Sequence, residues 1–474
     1  MTDVLFGQSY YLRFDPKLWA AMQPYAPLGT LYAASYIRAR GHRVALFDAM
    51  LAAGEHQWDE ALANHQPRVA VLFEDNFNYL SKMCLLRMRE AAITMIGMAR
   101  KRGCTVVVCG ADMTDHPDIY LQAGADYVLL GEGEESLAAL LDALDNAQPA
   151  DNIPGVLSLR SARHQRRPDI KNLDALPFPA WDLIDVPRYR GIWLQRHGFF
   201  SMNMVTTRGC PYSCNWCAKP IWGQRYNMRS AQNVAAELAL LRAQYAPDHI
   251  WFADDIFGLR PGWVEAFAAC VRAAGIQTPF KCLSRADLVT ASTAHALAEA
   301  GCATLWMGAE SGSQKVLDAM DKGTRVEDIA TATALLKAQH IAVGFFLQFG
   351  YPGEDWQAIA ATRRMVRDCL PDDIGISVSY PLPGTKFHQR VKAELGAKTN
   401  WQDSGDLAML YRGPYPQSFY RTLHRVVHAE YRLQKMLHQR DWRRLHRAPI
   451  EALHLLTGQA RLLLAKPTAA GVAA

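Results

Sequence analysis

Short apolar runs alternate with helical patterns twice along this chain, over residues 1–145 and again over 201–395, and this constrains the fold most. Strands separated by helices are joined by crossover connections, so they build parallel sheets whose faces the helices cover. In the first stretch Val4–Phe6, Arg43–Phe47, Arg68–Phe73, Thr105–Cys109 and Tyr127–Leu130 read as strands. Helices are expected near Leu28–Arg40, Trp58–Asn64, Met83–Lys101, Pro117–Ala123 and Ser136–Leu144. The result is a five-stranded, doubly wound, Rossmann-like sheet. Such sheets bind ligands beyond the carboxyl ends of their strands. Here those ends carry Gln8-Ser9-Tyr10, Glu74-Asp75-Asn76, Gly110-Ala111-Asp112 and Gly131-Glu132-Gly133-Glu134. Glycine lets backbone approach a ligand closely, and a following helix N-terminus favours polar or anionic groups. Any βα turn can use a glycine, so the glycines alone do not specify a ligand.

Residues 146–200 read as a linker: polar and turn-rich at first, with a strand over Ile153–Leu159, then basic, then proline-rich. In the second stretch Met202–Thr207, His249–Ala253, Phe280–Leu283, Thr304–Met307, Ala342–Leu347 and Gly375–Ser379 read as strands. Ser230 stands where a helix N-cap is wanted, and Gly275 and Gly301 where helices end. Six such units form a partial TIM-like barrel, whose chemistry collects where strands end. The loops there hold Asp254-Asp255, Ser284-Arg285, Gly308-Ala-Glu310-Ser311 and Gly350-Tyr-Pro-Gly-Glu354. Residues 396–474 read as a basic helical region. Between Arg421 and Arg447 eight lysines and arginines face two acids, so the net charge of +5 belongs to this tail. One helix presents Phe419, Leu423, Val426, Val427, Tyr431 and Leu437 on one side; Ile450–Leu464 forms another, and Lys466–Ala474 reads as a disordered end. A helical subdomain packed on the barrel mouth competes with contact at an anionic membrane surface or with an amphiphilic substrate.

Cys210-x-x-x-Cys214-x-x-Cys217 lies in the loop after the first barrel strand. A zinc site would normally add a second cysteine pair or suitably spaced histidines, and His197 and His249 have no such spacing. Three clustered cysteines cannot pair off as disulfides, and Met1-Thr2-Asp3 leads into a strand without a secretory h-region. The other seven cysteines sit among apolar neighbours and read as small buried hydrophobes. Thiolates are the usual ligands of iron–sulfur clusters. Three of them leave the fourth iron of a cube open, and an open position marks a site built for chemistry. No apolar stretch reaches the roughly 20 residues that span a bilayer, and reduced thiols fit the cytoplasm.

The triplet, together with Phe252-Ala-Asp-Asp-Ile-Phe257, Gly308-Ala-Glu-Ser-Gly312, Phe349-Gly-Tyr-Pro-Gly-Glu354, Ala125–Glu134 and Leu176-Pro-Phe-Pro-Ala-Trp181, resembles the radical S-adenosylmethionine enzymes with an N-terminal cobalamin-binding domain. The resemblance covers about residues 1–395. It implies a 4Fe-4S cluster on Cys210, Cys214 and Cys217, with S-adenosylmethionine chelated by the open iron and cleaved to a 5′-deoxyadenosyl radical. Trp216 would contact adenine, Asp254 and Asp255 the methionine amino group, Arg285 the carboxylate and Glu310 the ribose, with Gly308 and Ser311 in the same loop. Gly110, Asp112, Gly131, Glu132 and Gly133 would border cobalamin. The D-x-H-x-x-G motif with a cobalt-ligating histidine is absent from residues 1–145, where Asp115 and His116 are adjacent. The implied activity is methylation of an unactivated carbon in a small-molecule or amphiphilic substrate. A one-electron reductant such as flavodoxin or ferredoxin would serve it, and no nucleic acid is expected. An anaerobic cyclase or rearrangement, a non-catalytic corrinoid or iron sensor, and an RNA methylthiotransferase are the alternatives. The last is disfavoured because no second cysteine triplet supplies an auxiliary cluster.

Overall fold

The computed structural model describes residues 2–83, 85–161, 165–217, 221–396, 398–439 and 448–468. Strands β1 (Val4–Gly7), β2 (Val44–Leu46), β3 (Val69–Phe73), β4 (Thr105–Cys109) and β5 (Tyr127–Leu129) form a parallel sheet in the order β2-β1-β3-β4-β5. Alternate side chains serve its two faces. Leu5, Ala70, Leu72, Val106 and Val108 pack with Trp58 and Met95 on one side. Val4, Phe6, Val69, Val71 and Val107 pack with Ile37, Leu137 and Leu141 on the other. Burial on both faces explains why these strands read as continuous apolar runs. The linker strand shrinks to β6 (Val156–Leu157), which pairs antiparallel with β5 and adds a sixth strand. The sheet thus extends past residue 145 into the segment read as linker.

The second sheet runs β14-β13-β12-β11-β10-β7, all parallel, from β7 (Ser201–Met204), β10 (His249–Phe252), β11 (Phe280–Ser284), β12 (Cys302–Glu310) and β13 (Ala342–Phe349) to β14 (Asp373–Val378). Each strand pairs with its sequence neighbour, as right-handed βα units require. The partial barrel expected from the alternation is therefore present. Its first strand is shorter than Met202–Thr207. The chain leaves the sheet after Met204, and β8 (Thr207–Arg208) instead pairs antiparallel with β9 (Asn227–Met228). Ser230 caps its helix through Asn233 N at 3.1 Å, and Gly275 and Gly301 end theirs in the left-handed region.

Contacts from the linker and from the segment after the barrel join the two sheets. The helix Val186–His197, unforeseen in the linker, starts on an Asp185 cap with Pro187 in its first turn. Trp193 Nε1 donates to Pro24 O at 2.7 Å, and Tyr189 donates to Asp48 at 2.7 Å. After the barrel, Leu86 N donates to Trp401 O, and Ser404 Oγ donates to Asp15 at 2.6 Å. Tyr380 donates to Met83 O at 3.2 Å.

The helices Gln417–Gln439 and Ala448–Leu464 pack on each other. Arg432 bridges them by two bonds to Glu451, and Arg363 ties the pair to the barrel through Glu430 at 2.8 Å. Phe419, Leu423, Val426, Val427 and Tyr431 are buried as expected, but Leu437 is 70% exposed and Met436 takes the inner position. Leu437 lies about five whole turns beyond Phe419 and keeps its helical phase, so its exposure marks the end of the packed surface rather than a rotation of the helix. Much of the basic cluster, Arg440, Arg443, Arg444 and Arg447, lies outside the described residues, as do Cys84 and the last six residues. Among the described residues no helix is long and apolar enough to cross a membrane.

Candidate functional site

The cysteine loop begins where β7 gives way to β8, and Asp254 at the end of β10 makes that break. Its buried carboxylate accepts from Thr206 N and Thr207 N at 2.8 and 2.7 Å and from both hydroxyls at 3.1 and 2.8 Å. Burial pushes this carboxyl up to about 6 even though those bonds pull it down. Asp254 thus shapes the loop from behind. Its neighbour Asp255 forms an ion pair with Lys82 from the first domain at 2.5 Å.

Gly209, the residue before Cys210, has φ 82°, and a Cβ there would lie 2.4 Å from Arg225 O. Only glycine passes that point without strain. Cys210, Cys214 and Cys217 are all partly exposed. Between the second and third cysteines, Asn215 is pinned on every side. Its amide nitrogen donates to Ala319 O (2.7 Å) and Asp321 (3.2 Å), its side-chain oxygen accepts from Tyr351 (2.7 Å), and its backbone bonds Met320 O and Phe387 N. Sequence reasoning did not single out Asn215. Such anchoring fixes the loop before any ligand binds.

Two cations border the loop. Arg285 holds Asp287 by two bonds, donates to Lys322 O at 3.0 Å and lies 3.6 Å from the Tyr212 ring centroid. Lys322, which no motif announced, donates to Glu310 at 2.8 Å and sits 6.0 Å from the Trp216 ring. Burial pulls both cations down, but anionic neighbours, Cys214 among them, hold their pKa values above the usual range.

Glu310 has φ 55°, uncommon for a non-glycine residue, beside a register shift in the β12–β13 pairing. Such conformations persist where surrounding structure over-determines them, often at functional sites. A Cβ on Gly308 would meet Glu310 Oε1 at 2.5 Å and Lys322 Nζ at 2.6 Å, so the ion pair occupies the space beside that glycine. Ser311 is spent on packing: its hydroxyl bonds Thr362 at 3.1 Å. Trp216 packs against Val316, Met320 and Tyr351, and its indole N–H is buried with no partner among the described residues. The loop thus gathers three thiols, two cations, a carboxylate and an unsatisfied indole donor, a donor set suited to a cluster and a zwitterionic ligand. No three His, Cys, Asp or Glu among the described residues converge as ligands of a single metal ion. Thiolates on separate irons of a cube do not need to.

In the first domain, Asp112 is committed to Arg89 by bonds of 2.7 and 2.6 Å and to Tyr120. Gly110, Gly131 and Gly133 make room for Glu74, Arg166 and the Cys109 and Phe73 side chains respectively. Glu132 reaches the other domain. It accepts from Arg208 at 3.0 Å and Trp222 Nε1 at 3.1 Å, and Arg208 also holds Glu134 at 2.7 Å. All three charged groups are buried. Arg208 lies two residues before Cys210, so the glycine loop of the first sheet grips the root of the cysteine loop. At the β1/β3 switch point, Gln8 Nε2, Asn76 Oδ1 and Ser81 Oγ are buried without partners among the described residues. Unpaired amide and hydroxyl groups there suit a ligand rich in amides, as a corrinoid is.

Residues 204–366 match the family model described as the Radical SAM superfamily, and the chain carries a domain of that superfamily. An uncharacterized methyltransferase of Pyrococcus horikoshii is 25% identical over 384 residues, covering 79% of this chain and 81% of the relative. An anaerobic magnesium-protoporphyrin IX monomethyl ester cyclase of Synechocystis is 23% identical over 323 residues; the match covers 66% of this chain and 62% of the cyclase. Among solved structures, the radical S-adenosylmethionine methyltransferase TsrM of Kitasatospora setae, with cobalamin and a [4Fe-4S] cluster bound, superposes with TM-score 0.69 at 19% identity. That superposition covers 84% of this chain and 79% of TsrM. The two-domain fold is shared with that enzyme.

Proposed function

We propose that this chain is a cobalamin-dependent radical S-adenosylmethionine methyltransferase acting on an unactivated carbon. The observation that carries the reading is the preset cysteine loop. Asn215 and Asp254 fix its course, and Arg285 and Lys322 surround Cys214 with positive charge. Cys210, Cys214 and Cys217 would hold the 4Fe-4S cluster. When bound, the cluster supplies the electron that cleaves the sulfonium, and cobalamin supplies a transferable methyl group. Arg285 and Lys322 offer cationic partners for the carboxylate of S-adenosylmethionine, and Glu310 and Asp255 offer anionic ones for its amino and hydroxyl groups. Trp216 offers a ring face to adenine and an unsatisfied N–H. Gln8, Asn76, Ser81 and the glycine loop ending at Glu132 would border cobalamin. An external one-electron reductant would serve the cluster.

Likeness to the Synechocystis cyclase supports a second reading, oxidative cyclisation from the same radical. Anaerobic turnover with quantified products separates them. Methylation yields S-adenosylhomocysteine and 5′-deoxyadenosine together and adds one CH₂ to the product; cyclisation yields no S-adenosylhomocysteine. Protein that binds ligand but forms neither nucleoside would be a sensor. Peripheral membrane contact is supported by the helix Ala448–Leu464, which leaves Ile450, Leu453, Leu456 and Leu463 exposed beside the basic stretch. Sedimentation with anionic vesicles tests it.

A further inference from the structure

A cavity of about 340 Å³ lies between the two sheets, and Lys281 on β11 forms part of its wall. The lining comes from the first domain (Tyr10, Phe77, Tyr79), the barrel strands (Asn203, Trp251, Lys281) and the post-barrel segment. This volume is at the small end of ligand pockets, which are mostly apolar with a few converging polar groups. Lys281 stands between buried Phe280 and Cys282, so strand alternation turns it into the barrel. Its ammonium lies 4.9 Å from the Trp251 ring and 5.3 Å from the Tyr25 ring.

A cation removed from water normally has an anionic partner. Among the described residues no carboxylate comes within ion-pair distance of Lys281 and no hydrogen bond satisfies it. Two further polar groups in the same wall are unpaired. Asn203 donates through its amide nitrogen to Ala26 O at 2.8 Å, which leaves its buried side-chain oxygen without a partner. The hydroxyl of Tyr10 is buried and also has no partner among the described residues. The one acid in the lining, Asp75, is held by Gly29 N at 3.0 Å and Phe77 N at 3.2 Å. The wall therefore presents a cation between aromatic rings, backed by an unpaired hydroxyl and an unpaired acceptor beneath its surface.

We infer that Lys281 anchors an anionic group, carboxylate or phosphate, of a substrate whose apolar body lies against Trp251, Tyr25 and Phe77 in this cavity. That the bound molecule is the substrate rests on the function proposed above; that the cavity selects an amphiphilic anion does not. Burial holds the Lys281 ammonium down to about 8, so the anchor weakens as pH rises through that value. The other titratable groups around it are Lys17, Asp75, Tyr10, Tyr25 and Tyr79 in the lining, and His249, two residues from Trp251 on the same face of the neighbouring strand β10.

The test is calorimetric binding to the full chain in phosphate-free buffer near pH 7, without cluster or turnover. The probes are 1-naphthaleneacetate, 1-naphthyl phosphate and the neutral 1-naphthaleneacetamide. At least one acid is expected to bind about tenfold more tightly than the amide, with the preference lost in Lys281→Met, kept in Lys281→Arg and reduced near pH 9.5. Equal affinity of acids and amide for the parent protein, or no binding at millimolar concentration, overturns the inference without any variant. A preference that survives Lys281→Met also overturns it. Aquacobalamin is then added. If it displaces the acid probe, Lys281 serves the phosphate of a corrinoid, and the substrate assignment is overturned; if probe and aquacobalamin bind together, the assignment stands. Failure to form 5′-deoxyadenosine in a separate assay would count against the proposed function alone.

Discussion

Replacing Arg208 with methionine tests whether the two domains are clamped at the root of the cysteine loop. In the parent protein the guanidinium is 4% exposed and faces Glu132 and Glu134, whose side chains are 6% and 3% exposed. The variant keeps most of the side-chain volume and leaves two buried carboxylates without their cation. Breaking a buried ion pair by removing one partner costs about 3–5 kcal/mol. The second carboxylate places Arg208→Met at the upper end, near 5 kcal/mol. Burial already holds the Glu132 carboxyl above its ordinary value even with Arg208 present, and loss of the cation raises it further. A folded-state carboxyl pKa above the unfolded one destabilises at high pH, and the penalty fades as pH falls toward the unfolded value. Urea unfolding followed by tryptophan fluorescence should therefore show a large loss near pH 8 that shrinks toward about pH 5. Adding Glu132→Gln and Glu134→Gln should restore most of it. A variant within about 1 kcal/mol of the parent, or a deficit unchanged by pH, would refute the clamp.

Other outcomes follow from the same contacts. Asn215→Ala removes a side chain that bonds three residues around the loop; iron bound after anaerobic reconstitution should fall severalfold, measured as iron per chain. Gly308→Ala places a methyl group against the Glu310–Lys322 pair and should weaken S-adenosylmethionine binding about tenfold, or about 1.4 kcal/mol, by equilibrium dialysis. Glu354 is pushed up to about 8 by burial, although its bond to Gly350 N at 2.7 Å opposes the shift. It therefore withdraws stability as pH rises from the carboxylate range through about 8. Glu354→Gln should flatten the pH profile of thermal unfolding over that interval.

In the first sheet, strands buried on both faces gave clear apolar runs, and in the second the alternation of strand and helix patterns was enough to locate the strand-end loops. The helix Val186–His197 was hidden behind the proline-rich connector Leu173–Asp182, which reads as extended; Asp185 before Pro187, and Gly198 beyond the end, are the signals that mark it. The early end of the first barrel strand depends on Asp254, 48 positions from Thr206, and no local pattern announces such a bond. Arg208, Asn215 and Lys322 earn their places through contacts across the fold and have no spacing signature. Lys281 did carry a signal: a lysine between the apolar Phe280 and Cys282 of a barrel strand, on the face opposite theirs.

The most direct measurement is the spectrum of anaerobically reconstituted full-length protein before and after dithionite, with and without S-adenosylmethionine. The account predicts brown absorbance, a reduced-cluster paramagnetic signal that changes when S-adenosylmethionine is added, and 5′-deoxyadenosine in the mixture, all lost in Cys214→Ala. Stoichiometric zinc in place of iron, or a Cys214→Ala variant that keeps its iron and still cleaves S-adenosylmethionine, would contradict it.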